Sequence, residues 1–245
     1  MNSNIKRLID IAYNEVGYLE KASNSQLDSK TANAGSGNYT KYNRDMMKYS
    51  AGIYVNGYAW CDTFVDWCFT QAFGADKAKE MLGGWSAYTP TSAEYYKKRG
   101  LWVTSNPQPG DQIFFKDSSG VICHTGIVYK VDQMYVYTIE GNTSNASGVV
   151  ANGGGVAQKY YTLKYNRIAG YGRPPYPVET EKKEYNEEGE LMYNTVANCP
   201  EWSRPYVQKA VDLGWVKGTD TGALQLTDTK IWCLTIMLRA QGIMK

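Results

Sequence analysis

A chain of 245 residues has room for one or two domains, and a hydrophobic content of 43% provides for a sizeable core. The formal net charge of +2 comes without a basic stripe, so nothing points to nucleic acid as a partner. No apolar run reaches the roughly 18 residues of a membrane span. The first residues lack an apolar core and a small-residue cleavage site, so no signal peptide and a cytoplasmic origin are expected. Five irregularly spaced cysteines fit that compartment, and a single histidine argues against a zinc site. Neither a metal nor another cofactor is expected. The 21 Tyr and 7 Trp stand out. Such side chains grip amphipathic ligands such as sugars and peptides, although each one taken singly suits the core.

In chain order, residues 3–17 predict a helix, with Ile5, Leu8, Ile9, Ala12 and Val16 at helical spacing. Residues 23–39, rich in Ser, Asn, Gly and Thr, predict a loop, and 40–50 a short helix. From Cys61 a helical face of Cys61, Phe64, Val65, Cys68 and Ala72 runs to Gly74. Another helix is expected over 90–99, between Pro90 and Gly100. After Gly110 the period becomes strand-like, over Asp111–Lys116, Val121–Val131, Met134–Glu140, Val156–Leu163 and Arg167–Tyr171. Helices followed by an antiparallel sheet make an α+β domain over 1–175. Residues 176–192, with the glutamate-rich stretch from Glu179 to Glu190, predict a solvated linker. A small helical unit is expected over 193–245, with helices at Trp202–Leu213 and Thr229–Gln241. Two helices bury too little alone. The unit must therefore dock on the first domain, pair with a copy of itself, or bind a surface.

Cys61 opens a helix, and His124 and Glu140 stand on successive strands. A helix N-terminus and an imidazolium both stabilise a thiolate, which is the nucleophilic form of cysteine. If the 121–131 and 134–140 strands form a hairpin whose loop centres on Asp132, Lys130 pairs with Met134 and His124 with Glu140. The carboxylate then lies about 5 Å from the imidazole and fixes its tautomer. A slip of one residue would put the two on opposite faces. Asn142 has the parity of Glu140 and is a candidate for a further hydrogen bond. Turn chemistry at Glu-Gly-Asn-Thr-Ser is the alternative for both residues. Cys68, Cys123, Cys199 and Cys233 are expected to be packing residues.

Gly57-Tyr-Ala-Trp-Cys61-Asp62, Gly110-Asp111-Gln-Ile-Phe-Phe115, His124-Thr-Gly-Ile-Val128 and Ile139-Glu140-Gly-Asn142 resemble, in order and spacing, the motifs of the CHAP family. These are the cysteine, histidine-dependent amidohydrolase/peptidases. The resemblance covers roughly residues 5–175. It implies a papain-like fold, with Cys61 as nucleophile, His124 as base, Glu140 orienting the imidazole and Asn142 as an auxiliary member. It also implies bacterial peptidoglycan as substrate, cut as an N-acetylmuramoyl-L-alanine amidase or as an endopeptidase. Many members are phage endolysins that reach the wall after holin-type release. Trp60 and Tyr58, beside the nucleophile, are the candidate substrate contacts. Residues 50–58 carry no carboxylate, so the calcium site of some members is not carried over. No glutamine precedes Cys61 to hold an oxyanion. Its backbone N–H, with Tyr58 or Asn56, is the substitute expected. The tail resembles the two-helix tails of phage lysins, and Tyr206–Thr219 is similar to a surface-layer-homology repeat, which implies binding to wall polymers. Self-association into a homo-oligomer is the alternative. Two other readings stay open: a papain-like protease acting on proteins, and a non-catalytic wall-binding protein.

Overall fold

A computed structural model describes residues 2–177 and 184–244. The chain divides into two compact units, Met1–Glu179 and Thr180–Lys245.

The first unit opens with α1 (Ser3–Asn14), α2 (Lys41–Met47), α3 (Cys61–Phe73), α4 (Ala75–Leu82) and α5 (Thr89–Lys98). Strands β1 (Trp102–Val103), β2 (Gln112–Lys116), β3 (Ile122–Val131), β4 (Tyr135–Thr143), β5 (Gly155–Thr162) and β6 (Ile168–Gly172) follow. They form one sheet in the order β1-β6-β2-β3-β4-β5, antiparallel throughout. This is the α+β, papain-like fold that the motifs imply.

Helix α3 differs from the one-sided helix the periodicity predicts. Every residue of α3 except Gln71 and Phe73 is buried, because α1, α2, α4, β3 and β4 all pack around it. A helix enclosed on all sides has no face to leave polar, so its polar residues must find partners inside. Gly74 ends α3 as expected. At φ 77° it then turns the chain directly into α4, a helix the sequence reading missed.

Side chains alternate across the sheet. Phe114, Ile127, Ile139 and Val156 join the helices in one core. Ile113, Phe115, Val128, Val136, Tyr161 and Tyr171 form a second cluster.

In the second unit β7 (Glu184–Tyr185) pairs with β8 (Leu191–Met192) around a turn closed by Asn186 and Gly189. This ribbon lies inside the stretch read as linker. Its first strand and turn, residues 184–190, carry no aliphatic residue, which hid it, since its bonds are made by the backbone. Residues 178–183 of that stretch lie outside the described residues. Helices α6 (Arg204–Asp212) and α7 (Asp228–Ala240) stand where the periodicity places them. Their core holds Cys199, Val207, Leu226 and Ile231. Among the described residues, no helix is long and apolar enough to cross a membrane.

Candidate active site

Trp60 caps α3 without a side-chain hydrogen bond, which leaves the first-turn N–H groups free of a cap. Its indole instead anchors the helix start. The ring stacks on Tyr42 with centroids 5.3 Å apart, and Nε1 donates to Glu20 Oε2 at 2.9 Å. Cys61 thereby becomes the first residue of a held helix. It is 5% exposed.

Opposite stand His124 on β3 and Glu140 on β4, both fully buried. His124 Nε2 and Glu140 Oε2 are 2.9 Å apart. Nδ1 is buried without a directional hydrogen-bond partner among the described residues. The Cys61 sulfur is close enough to act on the ring. Burial pulls the His124 pKa down, but bonding to Cys61 and Glu140, and then the charges of both, raise it to about 9. The carboxylate is itself held on three sides. Thr138 Oγ1 donates to Oε1 at 2.6 Å, and Tyr161 donates its hydroxyl to Oε2 at 3.3 Å. Burial first, and then the Glu140 charge, keep the Tyr161 phenol well above its ordinary pKa and hence a donor.

The strand register explains the diagonal reach. Ile127 pairs with Ile139 and Val128 with Thr138, which sets Gly126, not His124, opposite Glu140. The predicted pairing is therefore off by two residues, and the shared face is kept. Gly126 is required there, because a Cβ on it would lie 2.5 Å from Glu140 Cγ. Gly141 serves the helix side. A Cβ on it would meet Phe64 Cβ at 2.5 Å and Trp60 Cζ3 at 2.9 Å. The glycines of both motifs thus let α3 and the two strands approach one another.

The other candidates have different surroundings. Asn142 is buried in a left-handed conformation (φ 53°), where β4 and β5 fall out of register. Its Oδ1 accepts from Gly154 N at 3.4 Å, and no hydrogen bond ties it to His124. Trp60 as a substrate contact is overturned. It is wholly buried, because its indole is spent on Tyr42 and Glu20. Tyr58 is 71% exposed and free to meet a ligand. Asn56 is committed elsewhere, accepting from Thr40 N and donating to Asn24. Cys68 and Cys199 pack as expected. Cys123 is half-buried and Cys233 is exposed, because Cys233 falls on the outer side of α7.

Asp62 and Asp66 were missed as site builders. Ser92 Oγ donates to Asp62 Oδ2 at 2.6 Å and Gln112 Nε2 to Oδ1 at 3.2 Å. Tyr54 donates its hydroxyl to Asp66 Oδ2 at 2.6 Å. Burial raises the Asp62 pKa to about 7, against both of its hydrogen bonds, and holds Asp66 well above the ordinary carboxylate range, helped by the Asp62 charge. Their i, i+4 spacing was visible in the sequence. Their burial was not, since it follows from the enclosure of α3. The involvement of Tyr161 needed the β4–β5 register.

A thiol at a helix N-terminus, an imidazole beside it and a carboxylate behind the imidazole define a cysteine–histidine hydrolase type of site. Residues 53–142 match the model of the CHAP domain. A search of the curated proteins found no match. The crystal structure of Ly7917 is similar at 14% identity, covering 70% of this chain and 62% of that one, with a TM-score of 0.40. The structure of Ly7917 with the hydrolyzing product of MDP is similar at 13% identity and the same coverage, with a TM-score of 0.35. This chain thus spans less than two thirds of the length of those structures.

Proposed function

We propose that this protein hydrolyses amide bonds of bacterial peptidoglycan with Cys61 as nucleophile. The observation that carries the reading is the buried His124–Glu140 pair, whose second ring nitrogen is left for the thiol at the start of α3. His124 takes the Cys61 proton and the sulfur attacks the amide carbonyl. The uncapped first turn of α3 offers backbone N–H groups to the oxyanion. His124 then gives its proton to the leaving amine as the C–N bond breaks. Water, deprotonated by His124, attacks the thioester and frees the acid and the thiol. Glu140 holds the imidazole in the right tautomer throughout. On this reading His124 and Cys61 react, and Glu140 positions.

The test is turbidity loss of purified cell walls. Cys61→Ser should abolish lysis with an unchanged melting temperature, while Cys68→Ser, deep in the core, should keep activity. Normal lysis by the Cys61 variant would remove the thiol mechanism. The finer reading, a phage endolysin released by a holin, rests on the family resemblance and is tested by expression with and without a holin. For the second unit we propose wall binding. Trp202 and Trp232 form an exposed ring pair with centroids 5.0 Å apart, a surface suited to saccharides.

A further inference from the structure

On the segment that leads into Cys61 the surface opens into a cleft of about 520 Å³, within the range of small-ligand sites. Its rim includes Ala59, two residues before the nucleophile, and two tyrosines, Tyr58 at 71% and Tyr88 at 64% exposure. Trp85, almost buried, and Tyr95 complete the aromatic lining, and no charged side chain contributes to it.

The cleft is built rather than incidental. Tyr54 ties the segment before Cys61 to Asp66, and the backbone N–H of Ser86 reaches the same carboxylate oxygen at 3.4 Å. Ser86 Oγ donates to Tyr88 O and accepts from Tyr88 N, both at 2.9 Å, which fixes the second tyrosine's loop. Ser92, on the helix that follows, is bound to Asp62. Both walls thus hang on two buried carboxylates of α3, the helix that carries the nucleophile. At Gly84 a Cβ would lie 2.7 Å from the Tyr95 ring, so only glycine lets that ring fold in. A lining held in this way costs little ordering when a ligand enters.

Resting on the reading of the protein as a peptidoglycan amidohydrolase, we propose that this cleft is the subsite for an uncharged N-acetylated sugar of the glycan strand. The lining matches that chemistry. Aromatic faces cover the apolar face of a sugar ring, phenol tips meet its hydroxyls, and the absence of charge suits a neutral unit better than the ionised positions of a stem peptide. The position also selects the bond. Ala59 is at most about 7 Å along the chain from Cys61. A sugar seated there presents the amide that joins it to the peptide. Each further peptide residue would carry a later amide roughly 3.5 Å away.

The test uses the full chain with Cys61→Ala, titrated with the N-acetylglucosamine tetramer and followed by intrinsic fluorescence. Saturable binding is expected, weakened at least about tenfold in Tyr58→Ala and Tyr88→Ala and kept in Tyr58→Phe. Both positions are exposed, so the variants should fold. No saturable binding, equal binding by all variants, or binding of a stem tetrapeptide in its place would overturn the assignment, whether or not walls are cut. Wild-type enzyme acting on walls should release new N-terminal alanine. New amino ends only at cross-links would overturn the bond assignment, while no new ends at all would instead sink the hydrolase reading.

Discussion

Glu140 reaches His124 diagonally, over the backbone of Gly126, the residue its own strand register sets opposite it. The carboxylate has Gly126 on one neighbouring strand and Ala157 on the other. Small residues on both sides leave the space through which a long side chain can bend to its partner.

Gly126→Ala should therefore damage the site without touching any reacting group. The added methyl must displace Glu140 or the strand, and overpacking of this kind costs about 1–3 kcal/mol. The expected outcome is a lower melting temperature together with a fall in kcat on the order of tenfold. A variant with wild-type kcat would show that the diagonal is not needed.

Glu140→Gln should lower kcat by about 100-fold or more, with KM little changed, because the imidazole loses its orientation and not the enzyme its substrate. The variant has a second signature. Against burial, bonding to Cys61 and then to Glu140 raises the His124 pKa from 6.5 to about 9, so the contribution of these contacts to stability is full below about 6.5 and is lost as pH rises through about 9. Chemical denaturation across that window should show the loss in the wild type and a flatter profile in the variant. NMR titration of the single histidine should find its pKa lowered in Glu140→Gln.

Asp62 has the opposite relation to pH from an exposed carboxylate. Burial raises its pKa from 3.8 to about 7, so its proton is favoured in the folded state. That preference supports folding fully below about 3.8 and is lost as pH rises through about 7. Asp62→Asn keeps an acceptor for Gln112, and the Ser92 hydroxyl can rotate to accept from the new amide. It should fold as well as wild type and depend less on pH between about 4 and 7. Asp62→Ala takes the acceptor from the Ser92 hydroxyl and one of the two acceptors from Gln112 Nε2, which keeps Thr125, and should cost about 1–3 kcal/mol. Equal stability of the Ala variant at pH 6 would count against the anchoring role.

The face shared by His124 and Glu140 was legible in the sequence, although the loop assumed for it was wrong. Asp132 N bonds to Tyr135 O, and Val131 pairs with Val136, so the hairpin loop is even-numbered and would by itself separate the two residues. A bulge at Tyr129 adds one residue to β3 and restores the parity. No local signal announces that bulge. Helix α4 was missed because Gly74 reads as an end, and here it both ends one helix and starts the next. Trp60 was misassigned for a third reason. Adjacency to a nucleophile places a residue in the site's sequence, while its side chain can still point into the core.

The second unit presents Trp202 at 46% and Trp232 at 55% exposure, packed against each other, with Ile236 and Met237 also exposed on α7. A lytic enzyme gains local substrate concentration from a tethered binder. In a Cys61→Ala background, which leaves the walls intact, Trp232→Ala should reduce co-sedimentation with cell walls several-fold. Trp202→Ala should act in the same direction, and the two changes together should add little, since the rings form one surface. Both side chains are exposed, so far-UV circular dichroism should be unchanged. The competing use of the same face is self-association. It predicts that the parent protein runs larger than 27.5 kDa in solution and that the tryptophan variants return it to that mass. Wall binding that survives both substitutions, with a mass that falls to the monomer, would assign the pair to self-association and remove it as a wall contact.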